Sequence, residues 1–313
     1  MKYINIGQTD MKSSAIILGC MRISDMPDLS VRQWIDEAMV QGINTFDHAD
    51  IYGQGICEEK FGRALKEAPG LRESILLQSK CGIRKGFYDL SGAYIAESVD
   101  NSLRRLHTDY LDLLILHRPD VLAEPKEIGR TLKKLKESGK VRHFGVSNMN
   151  SMQVEMLKSF TDVPFCVNQI QMSIAHTPAI DSGIFANMYA AESADRSGNI
   201  LEYCRKEGMT VQAWSVLQYG IFEGTFLYDG DGEGPADGRY KSLNQVLGEL
   251  AVKYGVSKAS VAIAWLLRHP SGMQAVVGTT KPLRIREAAA ASDIYLTKEE
   301  WYRLYCAAGH ELP

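Results

Sequence analysis

Short apolar runs that end on polar side chains, each followed by a stretch of helical periodicity, recur along this 313-residue chain from one end to the other. A strand apolar on both faces must be covered on both, and helices between such strands make the crossovers that parallel pairing needs. The expected strands lie at 16–18, at 44–47, and at 74–78, 111–116, 141–146, 165–167, 209–213 and 275–277. Helices are expected at 30–41, 57–67, 93–106, 125–138, 151–160, 196–207, 243–254 and 258–268, the first capped by Ser30 and stopped by Gly42. Eight strand–helix units close into an α/β (β/α)₈ TIM barrel of roughly 250 residues, whereas an open doubly wound sheet has about five or six strands and a glycine-rich first turn. The sequence therefore predicts one barrel domain over 1–313, with an N-terminal β-hairpin (3–6 with 14–18) and extra C-terminal helices from 284 and over 298–307. Two longer excursions, 171–195 and 218–240, fall on the side where barrel loops build binding sites.

A net charge of −3 with scattered Lys and Arg excludes a basic footprint, so neither a nucleic-acid nor a membrane partner is expected. No run approaches the ~20 apolar residues of a spanning helix. The N-terminus carries no apolar signal core before a small-residue cleavage site. Cys20, Cys57, Cys81, Cys166, Cys204 and Cys306 are far apart and form no ligand cluster, which reads as reduced core thiols in a cytoplasmic protein without a metal.

Two strings imitate motifs. Gly53-Gln54-Gly55 lacks the third glycine of a dinucleotide fingerprint and reads as a turn into a helix. Asp229, Asp231, Glu233 and Gly234 stand where a calcium loop wants them, but its twelfth position is Tyr240 and not Glu, so a glycine-rich lid is the better reading.

The chemistry is expected where strands end. Strand ends of a barrel open on one face, so Asp47, Lys80 and His117 become neighbours, with Tyr52 reaching the same place through a short loop. Taken singly, each has an ordinary reading as a cap, a solvated charge, a satisfied imidazole or a packed ring. Taken together they make a proton donor: an ammonium beside a phenol stabilises the phenolate and lowers its pKa, a carboxylate keeps the ammonium charged, and a neutral imidazole orients a carbonyl. His48 and Asp50 fall to supporting roles.

The strings FDHADIYG, QSKCG, LDLLILHRPD, GKVRHFGVSN, NQIQMS and AWSVLQYG, in this order, closely resemble the aldo-keto reductases, in particular an uncharacterised bacterial oxidoreductase branch. The resemblance implies a barrel that binds NADPH (NADP+) in an extended conformation and reduces small-molecule aldehydes or ketones without a metal. Its four catalytic residues fall on Asp47, Tyr52, Lys80 and His117. Its nicotinamide carboxamide contacts fall on Ser147, Asn148 and Gln169, and its stacking aromatic on Trp214, where many members have Tyr. The backbone of Ser215, Val216 and Leu217, with Gly220, would run along the pyrophosphate, and Met21 and Arg22 after the first strand would also border the cofactor. The segment VVGTTKPLRIREAA resembles the 2′-phosphate site, through Gly278, Thr279, Thr280, Arg284 and Glu287. Here Gly278 and Ala288 replace the usual Lys and Asn, and Lys281 stands nearby.

These readings converge on an NADPH-dependent carbonyl reductase. Two alternatives stay open. One is a cofactor-sensing regulatory protein on the same barrel, as in channel-associated β-subunits; the other is Schiff-base chemistry at Lys80, which Asp47 opposes by keeping the amine charged. Substrate choice is expected in the loops, where Phe87, Tyr88, Tyr219 and Phe222 offer an apolar wall. Oligomeric state is undetermined.

Overall fold

The computed structural model describes residues 1–220, 224–228 and 238–313, with only the backbone of Tyr219. The calcium-loop candidates Asp229, Asp231, Glu233 and Gly234, and Phe222, lie outside the described residues, as does the side chain of Tyr219.

Eight strands close a barrel: β1 (Ile16–Gly19), β2 (Thr45–Asp47), β3 (Leu76–Cys81), β4 (Leu111–Leu116), β5 (Val141–Ser147), β6 (Phe165–Gln171), β7 (Thr210–Trp214) and β8 (Gln274–Val277). Every neighbouring pair is parallel, and β8 meets β1 with Ala275 opposite Ile16. The outward side chains bury against helices. Phe46 of β2 packs on Trp34 of α1 (Asp28–Val40) and Phe61 of α2 (Ile56–Lys66), at centroid distances of 5.9 and 5.0 Å.

Several element ends move from where the sequence placed them. Helix α1 begins at Asp28 after Pro27, so Ser30 lies inside it and caps nothing; Pro27 already sets the chain's entry, and the Asp28 charge suits a helix start. Leu71–Ser74 is a helical turn, not the head of β3, and β3 runs on to Cys81. Lys80 thereby sits within the strand, fully buried, instead of after it. Likewise β6 extends through Asn168 and Gln169. Residues 196–199 are not helical, because Asp195 closes a turn by accepting the Ser197 and Gly198 N–H groups at 2.9 and 2.8 Å. The expected hairpin is Tyr3–Asn5 with Lys12–Ser14, and Ile16 onward belongs to the barrel.

One polar interruption in an apolar strand is explained by its partners. Buried Asp112 of β4 accepts the Leu77 N–H at 2.9 Å and pairs with Arg72 and Arg142 at 2.9 Å each, both guanidinium groups stacking on Tyr110. At the floor of the barrel Ile6 and Met11 of the hairpin pack with Leu113, Ile115 and Val167. At the other periphery, the helix Lys298–Ala307 supplies an aromatic stack: Trp301 lies parallel to Trp265 at 4.6 Å, Tyr305 parallel to Trp301, and His310 at 4.5 Å on Tyr305. Tyr305 donates to Asp181 at 2.7 Å in the helix Pro178–Ile184, part of the excursion after β6. Among the described residues no single helix is long and apolar enough to cross a membrane. None of the six cysteines is bridged, and all but Cys306 are buried.

Candidate active site

Side chains alternate along a strand, so Asp47 and Thr45 of β2 face inward with Gln78 and Lys80 of β3. Beyond Asp47 the pairing with β3 continues: His48 N–H donates to Gln78 O at 2.8 Å and Asp50 N–H to Lys80 O at 3.0 Å. A tight turn then places Tyr52, and its three following residues adopt left-handed φ (Gly53 55°, Gln54 55°, Gly55 94°), which two glycines allow without strain. The turn expected at Gly53-Gln54-Gly55 is thus what aims the phenol back over β3.

Four groups meet there. The Lys80 ammonium donates to Asp47 Oδ2 at 2.6 Å, to His48 O at 2.9 Å and to Tyr52 Oη at 3.0 Å, using all three protons. His117, at the end of β4, lies edge-on to the Tyr52 ring at 6.0 Å, and its backbone N–H donates to Cys81 O at 2.8 Å. Burial acts to lower the Lys80 pKa, but Asp47 and Tyr52 outweigh it and the ammonium is held above its ordinary value. Burial and the Lys80 and Arg118 charges push His117 well down, so it stands neutral. For Tyr52 the expected lowering is overturned: burial raises the phenol, and the opposing pull of Lys80 does not make up the difference. The group is protonated across the neutral range, as a proton donor needs, and the ammonium's service falls after the proton has left.

Behind this set stand further polar groups, some buried and some half-buried. Asp50 accepts from Tyr94 Oη at 2.7 Å and Ser98 Oγ at 2.8 Å, and burial pushes its carboxyl up despite these donors. Glu58 of α2 accepts from Ser79 Oγ at 2.6 Å and pairs with Arg105 at 2.6 Å. His48 is fully buried, edge-on to Phe61 at 4.8 Å, with neither ring nitrogen hydrogen-bonded among the described residues. Burial, with Lys80 second, pushes it down from 6.5 to about 3. A depressed folded-state pKa gives stability that is whole above the unfolded value and drains as pH falls through the folded one. Between pH 6.5 and about 3 the protein is therefore expected to lose thermal stability faster than the His48→Leu variant, and parallel melting-temperature curves would contradict this.

The expected carboxamide residues cluster beside the four. Ser147 Oγ donates to Gln169 O at 2.8 Å, Asn148 Nδ2 to Ser147 Oγ at 2.7 Å, and Trp214 Nε1 to Asn148 Oδ1 at 3.1 Å. Asn148 and Ser215 both have left-handed φ, 56° and 57°, a rare strain in non-glycine residues that recurs at ligand sites. Gln169 turns its Nε2 inward to Asp47 Oδ1 at 3.1 Å and Gln212 Oε1 at 3.0 Å, leaving Oε1 without a partner among the described residues. The remaining cofactor candidates spread along the same rim, since β8 lies between β7 and β1. Val216 is buried, Leu217 half-buried, and Gly220 belongs to a small hairpin with Gly224. After β8, Gly278 is exposed, Thr280 half-buried, and Thr279 turned inward with its carbonyl taken by Trp34 Nε1 at 2.7 Å. Arg284 and Lys281 are exposed at the start of the helix Pro282–Ala290 with no carboxylate partner among the described residues, and Glu287 is half-buried. Met21 and Arg22 are exposed after β1, on a short helical turn that packs against the turn beginning at Tyr52. Phe87 and Tyr88 are exposed on the hairpin that follows β3.

This donor set fits a dinucleotide. A half-buried indole offers a stacking face, the free Gln169 oxygen an acceptor for a carboxamide, and Arg284 with Lys281 two cations for a phosphate. Among the described residues no group of three His, Cys, Asp or Glu side chains is placed to hold a metal ion. Sequence reasoning missed the inward glutamines Gln78, Gln212 and Gln274; each shares the strand parity of an inward polar residue or lies beside one in register.

Comparison with known proteins agrees with this geometry. Residues 15–306 match the profile of the Aldo/keto reductase family. An uncharacterized oxidoreductase of Bacillus subtilis is 36% identical, covering 97% of each chain. A 6-dehydroglucose reductase of Agrobacterium fabrum is 35% identical over 95% of each. The solved glycerol dehydrogenase of Gluconobacter oxydans superposes with a TM-score of 0.80 at 27% identity, over 97% of this chain and 94% of that one.

Proposed function

Because the chain belongs to the aldo/keto reductase family, we propose that it reduces an aldehyde or ketone to the alcohol with NADPH as cofactor and Tyr52 as proton donor, working in the cytoplasm as one barrel domain. The observation that carries the reading is the buried Lys80 ammonium bonded at once to Asp47 and to the Tyr52 hydroxyl. A bound reduced nicotinamide supplies a hydride to the carbonyl carbon. Tyr52 gives its proton to the carbonyl oxygen, and Lys80 stabilises the phenolate left behind. Neutral His117 can hold that oxygen by one N–H and select the pose. Trp214 gives the nicotinamide ring a face, with Ser147, Asn148 and Gln169 on its carboxamide.

Arg284 supports the choice of NADPH over NADH, because an exposed guanidinium with no carboxylate partner among the described residues suits a 2′-phosphate. Arg284→Ala is expected to weaken NADPH about tenfold or more, the usual worth of a charge-assisted bond, and NADH by less than about twofold. Equal losses in fluorescence titrations of both cofactors would refute the contact.

The 35% identical 6-dehydroglucose reductase favours a polyhydroxy aldehyde as substrate. Arg118, whose guanidinium stands 5.6 Å over the Trp214 ring beside His117, adds a donor fork for hydroxyl or anionic groups. Steady-state NADPH oxidation with sugar-derived aldehydes, aliphatic aldehydes and quinones tests the proposal. Cofactor binding without turnover on any of them would replace it by the cofactor-sensor reading.

A further inference from the structure

Barrel interiors are filled by layers of bulky branched side chains. Here one layer is made of amides. Gln169, Gln212 and Gln274 are direct neighbours in register on β6, β7 and β8, and Gln78 stands across the barrel from Gln212 on β3. Gln78 is 2% exposed, and Gln212 and Gln274 are fully buried. Gln78 Nε2 donates to Asp47 Oδ1 at 2.5 Å and to Gln212 Oε1 at 3.0 Å. Gln212 Nε2 donates to Gln78 Oε1 at 3.1 Å and to Gln274 Oε1 at 3.0 Å. Gln274 Nε2 donates to Ser13 Oγ and Ser14 O, both at 2.7 Å, and Ser13 Oγ lies 2.5 Å from Thr45 Oγ1.

The two ends determine every amide between them. The Asp47 carboxylate can only accept, so Gln78 and Gln169 must offer it nitrogen. Both then point nitrogen at Gln212, whose oxygen must face them and whose nitrogen is left for the Gln78 and Gln274 oxygens. Gln274 must answer with oxygen, which sends its own nitrogen to the Ser14 carbonyl, again a pure acceptor. No amide can flip without setting like against like. The chain therefore has one arrangement, anchored at its lower end in the hairpin that closes the barrel.

We propose that Gln78, Gln212 and Gln274 are positioning residues: their hydrogen-bonded chain holds the Asp47 carboxylate in one orientation, and through it aims the Lys80 ammonium at Tyr52. The proposal rests on the reading of Tyr52 as proton donor. Stability alone does not call for such a chain, since apolar groups of the same shape can replace a satisfied buried pair almost without cost. What apolar groups cannot do is bond Asp47 Oδ1. Without Gln78 that oxygen would depend on Gln169, whose amide also faces the expected nicotinamide site.

The test compares Gln78→Met with Leu113→Ala, a destabilising change in the same interior, at the register neighbour of Gln78 and outside the amide chain. Lysine side-chain NMR, with Lys80→Met assigning the resonance, reads proton exchange of the Lys80 ammonium and needs no turnover. Gln78→Met is expected to speed that exchange and lower kcat, each about tenfold, as a slightly misplaced group does. NADPH affinity should stay within about twofold, because Gln169 keeps both inward bonds. Leu113→Ala should lower the melting temperature and leave Lys80 exchange as in the wild type. Unchanged exchange and kcat in folded Gln78→Met, or equal acceleration in both variants, would overturn the proposal. If Gln78→Met does not fold, Gln274→Met at the far end is read the same way, with a smaller acceleration expected and none overturning the chain. A wild-type protein that turns over no carbonyl would refute the functional reading, while the exchange data would still judge the amide chain.

Discussion

Replacing Tyr52 by Phe is expected to lower kcat by about 10²–10⁴-fold, the range a positioned general acid contributes, with NADPH affinity unchanged within about twofold. The substitution removes one hydroxyl and little else. Lys80 keeps its bonds to Asp47 Oδ2 and His48 O, so the ammonium loses one of three acceptors and stays in place. The ring remains against His117 and within cation–π reach of Lys80, now 4.8 Å from its centroid. Fold and cofactor site should therefore survive, and the loss should fall on the chemical step. Steady-state rates joined to a cofactor titration separate the two. Turnover near the wild-type rate would remove Tyr52 from the mechanism, whereas a matching loss of NADPH affinity would make it a binding residue.

Lys80→Met is expected to do more damage, since it strikes stability and chemistry together. Lys80 and Asp47 form an ion pair at 2.6 Å, with side-chain exposures of 0% and 3%. Deleting one partner of a buried pair leaves the other charge uncompensated, at a cost of roughly 3–5 kcal/mol. The Gln78 and Gln169 amides still reach Asp47 Oδ1, which places the loss toward the lower end of that range. Catalysis should fall at least as far as in Tyr52→Phe, because the phenolate would form in a buried site with no cation beside it. Adding Asp47→Asn to Lys80→Met should recover stability and leave activity abolished. If the single variant melts as the wild type does, the pair is not the electrostatic centre described above.

Much of this was legible beforehand, and the reason differs from element to element. Leu111–Leu116 and Lys298–Ala307 stand where their residues placed them, since an apolar run interrupted only by Asp112 and a Thr297/Glu300 capping box are local signals. Asp47, Lys80, His117 and Tyr52 could be grouped because barrel closure brings strand ends together whatever lies between them. The amide layer could not. Gln78 read as the end of a strand, Gln212 as one polar residue in a short run, and Gln274 fell just outside its expected strand. Only the register shows that all three face the axis at compatible heights. A usable signal was present, since Gln78 precedes Lys80 by two residues and so shares its face. The Tyr52 pKa went the other way for a related reason: the ammonium beside it was readable, but the depth of burial that outweighs it was not.

The stack of Trp265, Trp301, Tyr305 and His310 bears on how such a protein can change its diet. Through Tyr305 and Asp181 the C-terminal segment and the excursion after β6 share one anchor, so the two cannot drift independently. A new side chain in one is felt by the other before any ligand arrives. Substrate range should accordingly shift by paired substitutions in these segments, while the polar machinery beneath, rooted at the opposite end of the barrel, stays untouched.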